Sequence, residues 1–260
     1  RRMGELGFLG MAVPENAGGS GGTWLDLALF NEEAGRALIP TLHIASATLV
    51  GQALLTLGTP AQQSDLLPAL IAGEQVVAPA YLESEDDRRS VMPETTAQAE
   101  GSGFVLSGGK RFVESFEIAA TLLVTAREAS GRAGLFLVPR DSAGLRQREW
   151  LLQSLDRVAD LELAGVPVAR EAALPGAWEA WLEVLDGAKI ALAAYATGAA
   201  QAALDLALAY SKIRVQFDRP IGSFQALQHK LADAAMHITE ARMLVQLAAW
   251  LRDTRGASVE

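Results

Sequence analysis

The sequence lacks cysteine and has few histidines, and both shortages exclude kinds of site. With no cysteine among 260 residues, disulfides, thiolate metal ligands and cysteine nucleophiles are excluded. The three histidines are His43, His229 and His237, and no pair of them has the spacing of zinc ligands beside a carboxylate. We therefore expect no metal site, and we expect His229 and His237 to be ordinary packing or surface residues.

Positive charge is also scarce, with 22 Lys and Arg against 31 Asp and Glu and a net charge of −9. Neither nucleic acid nor anionic lipid attracts such a chain. We therefore expect no nucleic-acid partner and no membrane, and a phosphate-bearing ligand would need a local basic group. A cytoplasmic location is a separate expectation. The first residues, Arg-Arg-Met-Gly-Glu-Leu-Gly, are not typical of a signal peptide.

Apolar residues, by contrast, make up 50% of the chain, enough to bury a sizeable core. Residues 190–209 are almost entirely apolar, which is compatible with a membrane span or with a buried helix. Gln201, Asp205 and the many alanines of this segment favour a buried helix of a bundle.

The first region, residues 1–74, is predicted to be helical. Thr23, with Asp26 three residues later, is typical of a helix start, and the run 24–37 follows it. Thr59 before Pro60, with Gln62 three residues on, predicts a second start, and Gly73 predicts its end. The Gly-rich residues 14–22 are interpreted as a loop, because no Gly-Lys-Ser/Thr follows to cradle phosphate.

Residues 75–175 change to short β-rich runs, which predict a small antiparallel sandwich or barrel. Phe104–Val113 is predicted to be a hairpin, with Gly108 and Gly109 in its turn. The predicted strands are 75–82, 95–100, 104–107, 111–113, 121–126, 135–139 and 160–163.

Residues 176–260 are predicted to be helical again. One long helix should run from Trp178 to about Phe217, where Asp-Arg-Pro-Ile-Gly breaks it, and Ser223 should cap a second helix. Two such helices are half of a four-helix bundle, and an apolar face remains to be covered. The predicted fold class is thus α+β with three domains: helical, β and helical.

A motif in this last region resembles the acyl-CoA dehydrogenase family. Residues 211–233 read S-K-I-R-V-Q-F-D-R-P-I-G-S-F-Q-A-L-Q-H-K-L-A-D, similar to the flavin-contacting turn of that family. Residues 5–15, E-L-G-F-L-G-M-A-V-P-E, and the segment around Gly108-Gly109-Lys110 are similar to its first and middle regions. The resemblance implies FAD as cofactor and the α,β-dehydrogenation of an acyl-CoA thioester.

The residues of this motif also suit FAD chemically. A planar cation, amides and aromatic faces match pyrophosphate, ribose and adenine; the alternative is a surface Arg beside a core Phe. The resemblance implies that this turn reaches FAD bound mainly by a neighbouring subunit, hence a homodimer or homotetramer, with an electron-transfer flavoprotein as acceptor. The residues concerned are Arg214, Gln216, Phe217, Phe224 and Gln225.

Two other flavin-contacting stretches of the family are altered here. The family pattern T-E-P-x-A-G-S-D falls on residues 82–89, where Leu82 replaces the Thr and only Glu83 is kept. The pattern W-I-T falls on Phe112, Val113 and Glu114. A carboxylate at Glu114 would oppose a reduced, anionic flavin.

The catalytic base is not identified. The resemblance places the usual Glu beyond residue 260 and, in a minority of members, at the position of Ala188, which cannot remove a proton. Glu83 and Glu114 remain weak candidates for a base. The resemblance also implies CoA contacts from Asp186 and Lys189, although Lys189 replaces an Arg and loses its bidentate fork.

Three functions therefore remain open. The first is an FAD-dependent acyl-CoA dehydrogenase. The second, suggested by the altered stretches, is a non-catalytic subunit of a hetero-oligomeric acyl-CoA dehydrogenase. The third is a flavin monooxygenase-like or nitroalkane oxidase-like enzyme on the same fold. The acyl chain is not predicted.

Overall fold

The computed structural model describes residues 1–83 and 92–257, the last three of them by backbone alone. It divides into two compact units: residues 1–21 with 40–188, and residues 22–39 with the chain from 189 onward. The predicted three domains, 1–74, 75–175 and 176–260, stay a prediction. The two compact units do not coincide with these domains, because the helix that begins at Trp24 belongs to the same unit as the C-terminal helices.

The helical part of the first unit begins with α1 (Arg2–Glu5) and continues with a π-helix (His43–Val50), α3 (Gly51–Leu57) and α4 (Pro60–Ile71). The start of α4 is as predicted, since Thr59 and Gln62 form a capping box. Gly73 follows this helix with a φ of +68°. Residues 14–22 contain only a single turn of 3-10 helix, Glu15–Ala17.

Eight strands of the first unit form one sheet in the order β6-β7-β3-β2-β4-β5-β8, with β1 paired to β4. The pairings β1–β4 and β2–β4 are parallel and the others antiparallel. The strands are β1 (Val77–Ala80), β2 (Thr96–Glu100), β3 (Gly103–Glu114), β4 (Thr121–Glu128), β5 (Ala133–Pro139), β6 (Leu145–Leu151), β7 (Arg157–Ala169) and β8 (Ala173–Leu174).

The predicted hairpin at Gly108-Gly109 is wrong, because both glycines lie inside the continuous strand β3. The turn falls instead at residues 101–102, between β2 and β3. Gly108 has a φ of +150°, and a Cβ there would lie 2.7 Å from the Cα of Thr95. Its glycine identity therefore serves a close approach of two backbone segments. Strand β6 was missed because nearly all of its residues are exposed and show no alternation.

The apolar residues of β4 alternate between two hydrophobic clusters. Leu122 and Val124 belong to a cluster made by the strands themselves, whereas Leu123 packs in a cluster with α3, α4 and the start of α5 (Trp178–Ile213). Successive strand residues point to opposite faces. A strand buried on both faces therefore reads as one continuous apolar run.

The second unit combines α2 (Trp24–Arg36), α5 from Lys189 onward and α6 (Gln225–Ala257). The predicted capping box of Thr23 and Asp26 is present. Asp253 adds a second cap from α6, because its carboxylate accepts hydrogen bonds from the amides of Trp24 (2.8 Å) and Leu25 (3.1 Å). Arg242 donates to Glu32 at 2.6 Å. These contacts explain why α2 groups with helices more than 150 residues away.

The two long helices end and begin elsewhere than predicted. Helix α5 stops at Ile213 instead of Phe217, because a small hairpin of β9 (Val215–Gln216) and β10 (Arg219–Pro220) takes over. Helix α6 begins at Gln225, and the Ser223 hydroxyl donates to the Pro220 carbonyl at 2.8 Å instead of capping it.

Helix α5 is long and apolar enough to cross a membrane, judged by length and composition alone. Only 28% of its most apolar 18-residue window is buried. The interpretation as a buried bundle helix thus stays a prediction, and the exposed side chains of this helix, such as Leu192 and Leu206, are the surface that a covering partner would bury.

Candidate functional site

Of the first altered stretch, only Leu82 and Glu83 lie within the described residues, since 84–89 fall outside them. These two residues lie beside β3 where it leads into the second stretch, Phe112–Glu114. Leu82 lies two residues after the end of β1, and its carbonyl accepts a hydrogen bond from the amide of Arg111 in β3 at 2.8 Å. The residues are far apart in sequence, and the sheet brings them together. The neighbouring residues, Glu83 and Lys110, form an ion pair through their side chains.

Glu83 lies in a dense set of hydrogen bonds. Lys110 Nζ lies 2.5 Å from Glu83 Oε1, and the Thr95 amide donates to the same oxygen at 3.0 Å. Burial acts to raise the pKa of Glu83, but the hydrogen bond and charge of Lys110, with the bonds from Thr95, outweigh it and lower the pKa. A carboxylate with a lowered pKa and a bound ammonium is a poor proton acceptor. Glu83 is therefore unsuited to the role of base.

The segment after Lys110 leaves the regular strand. Pairing between β3 and β7 passes from Lys110 opposite Leu161 to Val113 opposite Ala159, so that Arg111 and Phe112 together oppose Asp160, as in a β-bulge. Phe112 has a φ of +52° and Ser115 one of +62°, values that are uncommon outside glycine and concentrate at functional sites.

Asp160 compensates for the bulge. Its carboxylate accepts a hydrogen bond from the Phe112 amide at 3.2 Å and lies 3.6 Å from the Arg111 guanidinium. The Phe112 ring is partly exposed, and the Arg111 guanidinium lies 5.2 Å from its centre. The bulge thus presents an aromatic face and a cation at the surface.

Glu114 ends β3 in a different environment. The residue is exposed as a whole, but neighbouring atoms crowd its carboxylate. This desolvation is the main cause that raises its pKa; the negative charge of Asp156 adds to it, and a contact with the Thr41 hydroxyl acts in the opposite direction. A carboxyl with a raised pKa takes up its proton at a higher pH than a free Glu does.

The residues predicted to contact CoA lie on the early part of α5. Asp186 and Lys189 are exposed, the first in one compact unit and the second in the other. Ala188 is partly buried and packs against the cluster that contains Trp181. Their predicted roles stay predictions.

The motif turn of the second unit presents its side chains to solvent. Phe217 and Asp218 occupy the tip of the β9–β10 hairpin with φ values of +53° and +63°, as a type I′ turn requires. The Phe217 side chain is 87% exposed. Its ring lies 6.1 Å from that of Phe224, over which the Arg219 guanidinium sits at 4.1 Å.

The polar residues of this turn are exposed too. Arg214, Gln216 and Gln225 all face solvent. The Arg214 carbonyl accepts a hydrogen bond from the Ile221 amide at 2.8 Å, which fixes the backbone across the hairpin. Beside it, a cavity of about 560 Å³ is lined in part by Ser211, Lys212 and Gln228. The turn therefore offers an aromatic face, an amide and cations on a fixed backbone, which fits parts of a dinucleotide.

Three residues of the first-unit site were missed as site residues by sequence reasoning. Lys110 was read as part of a turn, and Thr95 and Thr125 were assigned only to strands. All three are buried; Lys110 and Thr95 contact Glu83, and Thr125 contacts Lys110. The one available signal was a Lys within a β-rich run, since buried lysines are rare unless they are paired.

A metal site would need several His, Asp or Glu side chains close together within residues 1–83 and 92–254. That part of the chain holds no group of three or more His, Asp or Glu side chains that could bind a metal ion. His229 and His237 are exposed on α6, as expected for surface residues.

Comparison with known proteins identifies the family. Models of the acyl-CoA dehydrogenase N-terminal and C-terminal domains match residues 1–74 and 177–259. The probable acyl-CoA dehydrogenase YngJ of Bacillus subtilis is 37% identical, with 97% of this chain aligned to 70% of YngJ. The chain belongs to the acyl-CoA dehydrogenase family, whose members are oxidoreductases. It spans 65–70% of the length of its curated relatives.

Solved structures of acyl-CoA dehydrogenase type have the same fold as this chain. The ChsE4–ChsE5 complex of Mycobacterium tuberculosis superposes with a TM-score of 0.88 at 28% identity, over 96% of this chain and 67% of that one. A glutaryl-CoA dehydrogenase of Mycobacterium smegmatis in complex with FADH2 gives 0.89 at 25% identity, over 98% and 67%. The predicted family, fold class, enzyme class and FAD as the family's cofactor are confirmed. The site residues stay predictions.

Proposed function

We propose that this chain is the flavin-binding part of an FAD-dependent dehydrogenase that oxidises an acyl-CoA thioester between its α and β carbons. The observation that carries the proposal is the hydrogen bond at 2.8 Å between the Leu82 carbonyl, in the first altered stretch, and the amide of Arg111, the residue just before the second. Leu82 and Phe112, which the resemblance assigns to one cofactor, are thus one residue removed from a direct backbone contact, although 29 residues (83–111) lie between them in the sequence. FAD, when bound, accepts the hydride from the β carbon.

The chain's own residues have distinct roles in this proposal. Leu82, Phe112 and Glu114 would border the flavin, and Glu83 would hold that border in place. Arg214, Gln216, Phe217, Phe224 and Gln225 would contact FAD bound by a neighbouring subunit, so that a homo-oligomer is required. The exposure of Phe217 supports this, because a partner or ligand that covered this aromatic ring would bury its apolar surface favourably.

The base that removes the α proton is not assigned to residues 1–83 or 92–257. Glu83 is paired to Lys110 and Ala188 has no titratable group. We propose that another segment of the protein supplies it. Asp186 and Lys189 would contact the CoA portion.

The test is the visible spectrum of the full-length protein, before and after anaerobic addition of a panel of acyl-CoA thioesters. Flavin bands that bleach with one thioester are expected. A flavin that is bound but stays oxidised with every chain length and ring-bearing thioester would contradict dehydrogenation; oxygen consumption by the reduced flavin would then favour the monooxygenase-like or nitroalkane oxidase-like alternative.

A matched pair of variants separates cofactor contact from general damage. Phe217→Ala should weaken FAD retention by about tenfold, since loss of an aromatic stacking face costs roughly 1–3 kcal/mol. Trp150→Ala on strand β6 removes an aromatic residue that is also exposed and should leave FAD retention unchanged. Equal losses in both variants would show that Phe217 has no special part.

One observation favours a second candidate, a non-catalytic subunit of a hetero-oligomer. The ChsE4–ChsE5 structure that this chain resembles is a complex of two different proteins, and the flavin stretches here are altered. A purified protein that stays colourless after FAD is added, and becomes yellow when co-expressed with a second family member, would establish this role. Full flavin occupancy of the isolated protein would remove it. The electron-transfer flavoprotein partner and the cytoplasmic location stay predictions.

A further inference from the structure

Lys110 is a buried lysine in the middle of the sheet. Its side chain has no exposed surface, and that of Glu83 is only 10% exposed. Lys110 Nζ contacts Glu83 Oε1 and Thr125 Oγ1, the second at 2.9 Å. Taking an ammonium out of water costs several kcal/mol unless partners compensate it. The Glu83 charge and the Thr125 hydroxyl are among the groups that compensate it.

The pair connects four separate segments. Glu83 follows β1, Lys110 belongs to β3 and Thr125 to β4, and the backbone amides of Glu94 and Thr95, just before β2, donate to the two oxygens of Glu83. The Glu83 carboxylate thus connects the segment after β1 to the start of β2. The Lys110 ammonium connects that carboxylate to β3 and, through Thr125, to β4.

The position of the pair points to a purpose other than stability. Lys110 is the last regularly paired residue before the bulge that carries Phe112, and Glu83 adjoins Leu82, whose carbonyl is bonded to Arg111. Apolar side chains of similar volume often stabilise a core as well as a buried ion pair does, or better. Apolar contacts have no preferred direction. Hydrogen bonds and charges do, and they therefore specify how the two segments are placed relative to each other.

We propose that Glu83 and Lys110 form a positioning pair that holds Leu82 and Phe112 in the arrangement that receives the flavin. This inference rests on the proposed function. Neither residue needs to contact flavin; each acts through the neighbouring residue in the chain. Replacing the pair by apolar residues should therefore preserve the fold and loosen the cofactor.

The experiment compares two double variants of the full-length protein. Glu83→Leu with Lys110→Met removes the buried pair, and Glu162→Leu with Arg146→Met removes an exposed pair of the same sheet, whose atoms lie 3.5 Å apart with side chains 62% and 72% exposed. The readouts are thermal unfolding, the FAD dissociation constant by flavin fluorescence, and visible circular dichroism of the bound flavin, which reports on the geometry around the ring.

We expect the buried double variant to fold but to unfold at a somewhat lower temperature, because the amides of Glu94 and Thr95 lose their acceptor. It should bind FAD about tenfold more weakly and change the flavin dichroism, since a small misplacement of binding groups has effects of this order. The exposed double variant should match the wild type in all three. Unchanged FAD affinity and dichroism in the buried double variant, or equal losses in both variants, would overturn the inference.

Two further outcomes are distinguishable. If the buried double variant does not fold, Thr125→Val decides the matter, because it removes only the hydroxyl that Lys110 contacts: weaker FAD binding supports the positioning role, and unchanged binding overturns it. If the wild-type protein itself binds no FAD, the proposed function fails and the inference fails with it. If the wild-type protein binds FAD and the variant binds it equally well, only the inference fails and the proposed function stands.

Discussion

Glu83 and Glu114 are two carboxylates at strand ends of one sheet, and their surroundings give them opposite properties. Glu83 is nearly buried, bonded to Lys110 and Thr95, and its pKa is lowered. Glu114 is exposed, but its carboxylate is crowded beside Asp156 and its pKa is raised. In sequence both were equal candidates for a base. Lys110 and Thr95 lower the pKa of Glu83, whereas desolvation and Asp156 raise that of Glu114.

The largest expected effect comes from removing the partner of Glu83. Lys110→Met leaves a buried carboxylate without its counter-charge and should destabilise the protein by about 3–5 kcal/mol, measured by urea unfolding at neutral pH. Arg146→Met, in the exposed pair with Glu162, is the control and should change stability by less than about 1 kcal/mol. Similar small losses in both variants would mean that the Glu83 charge is not truly buried.

A smaller effect, which depends on pH, is expected at Glu114. A carboxyl whose folded pKa is raised contributes stability below its unfolded pKa and loses that contribution as pH rises through the folded pKa. Glu114→Gln abolishes this loss. The variant should equal the wild type at acid pH and gain up to about 1 kcal/mol near neutrality, a limit set by the exposure of the residue.

The measurement is the urea midpoint of Glu114→Gln and wild type from pH 4 to pH 8. Glu83 should show the reverse trend: its lowered pKa contributes stability above the unfolded value, which is lost as pH falls through the folded pKa. A Glu114→Gln difference that is largest at acid pH would contradict the raised pKa.

The smallest effect is expected from Thr41, whose hydroxyl lies 3.5 Å from Glu114 Oε2. This contact acts to lower the pKa of Glu114, so Thr41→Val should raise that pKa further while changing stability by no more than about 0.5 kcal/mol. Carbon-detected NMR titration of the Glu114 carboxyl measures the pKa. A lowered value would show that the hydroxyl donates its hydrogen bond elsewhere.

Local signals in the sequence were sufficient for the starts of α2 and α4, though not for that of α6. The capping boxes at Thr23 and Thr59 depend on residues three apart, and backbone chemistry within one turn determines them. The family motif likewise lies in one continuous stretch, 211–233, and identified the family by itself. The glycines of β3 misled for the same reason, since a local rule for turns cannot register that Thr95 lies against Gly108.

The sequence by itself therefore determined the family, the order of helical and β regions, the capping boxes of α2 and α4 and the identity of the residues aligned with the flavin motifs. Only the tertiary structure decided that α2 is capped by Asp253, that Leu82 meets Arg111, and that Lys110 is buried on Glu83. Each of these depends on segments far apart in the chain. The energy of a charge depends on what surrounds it, and the surroundings exist only once the sheet has formed.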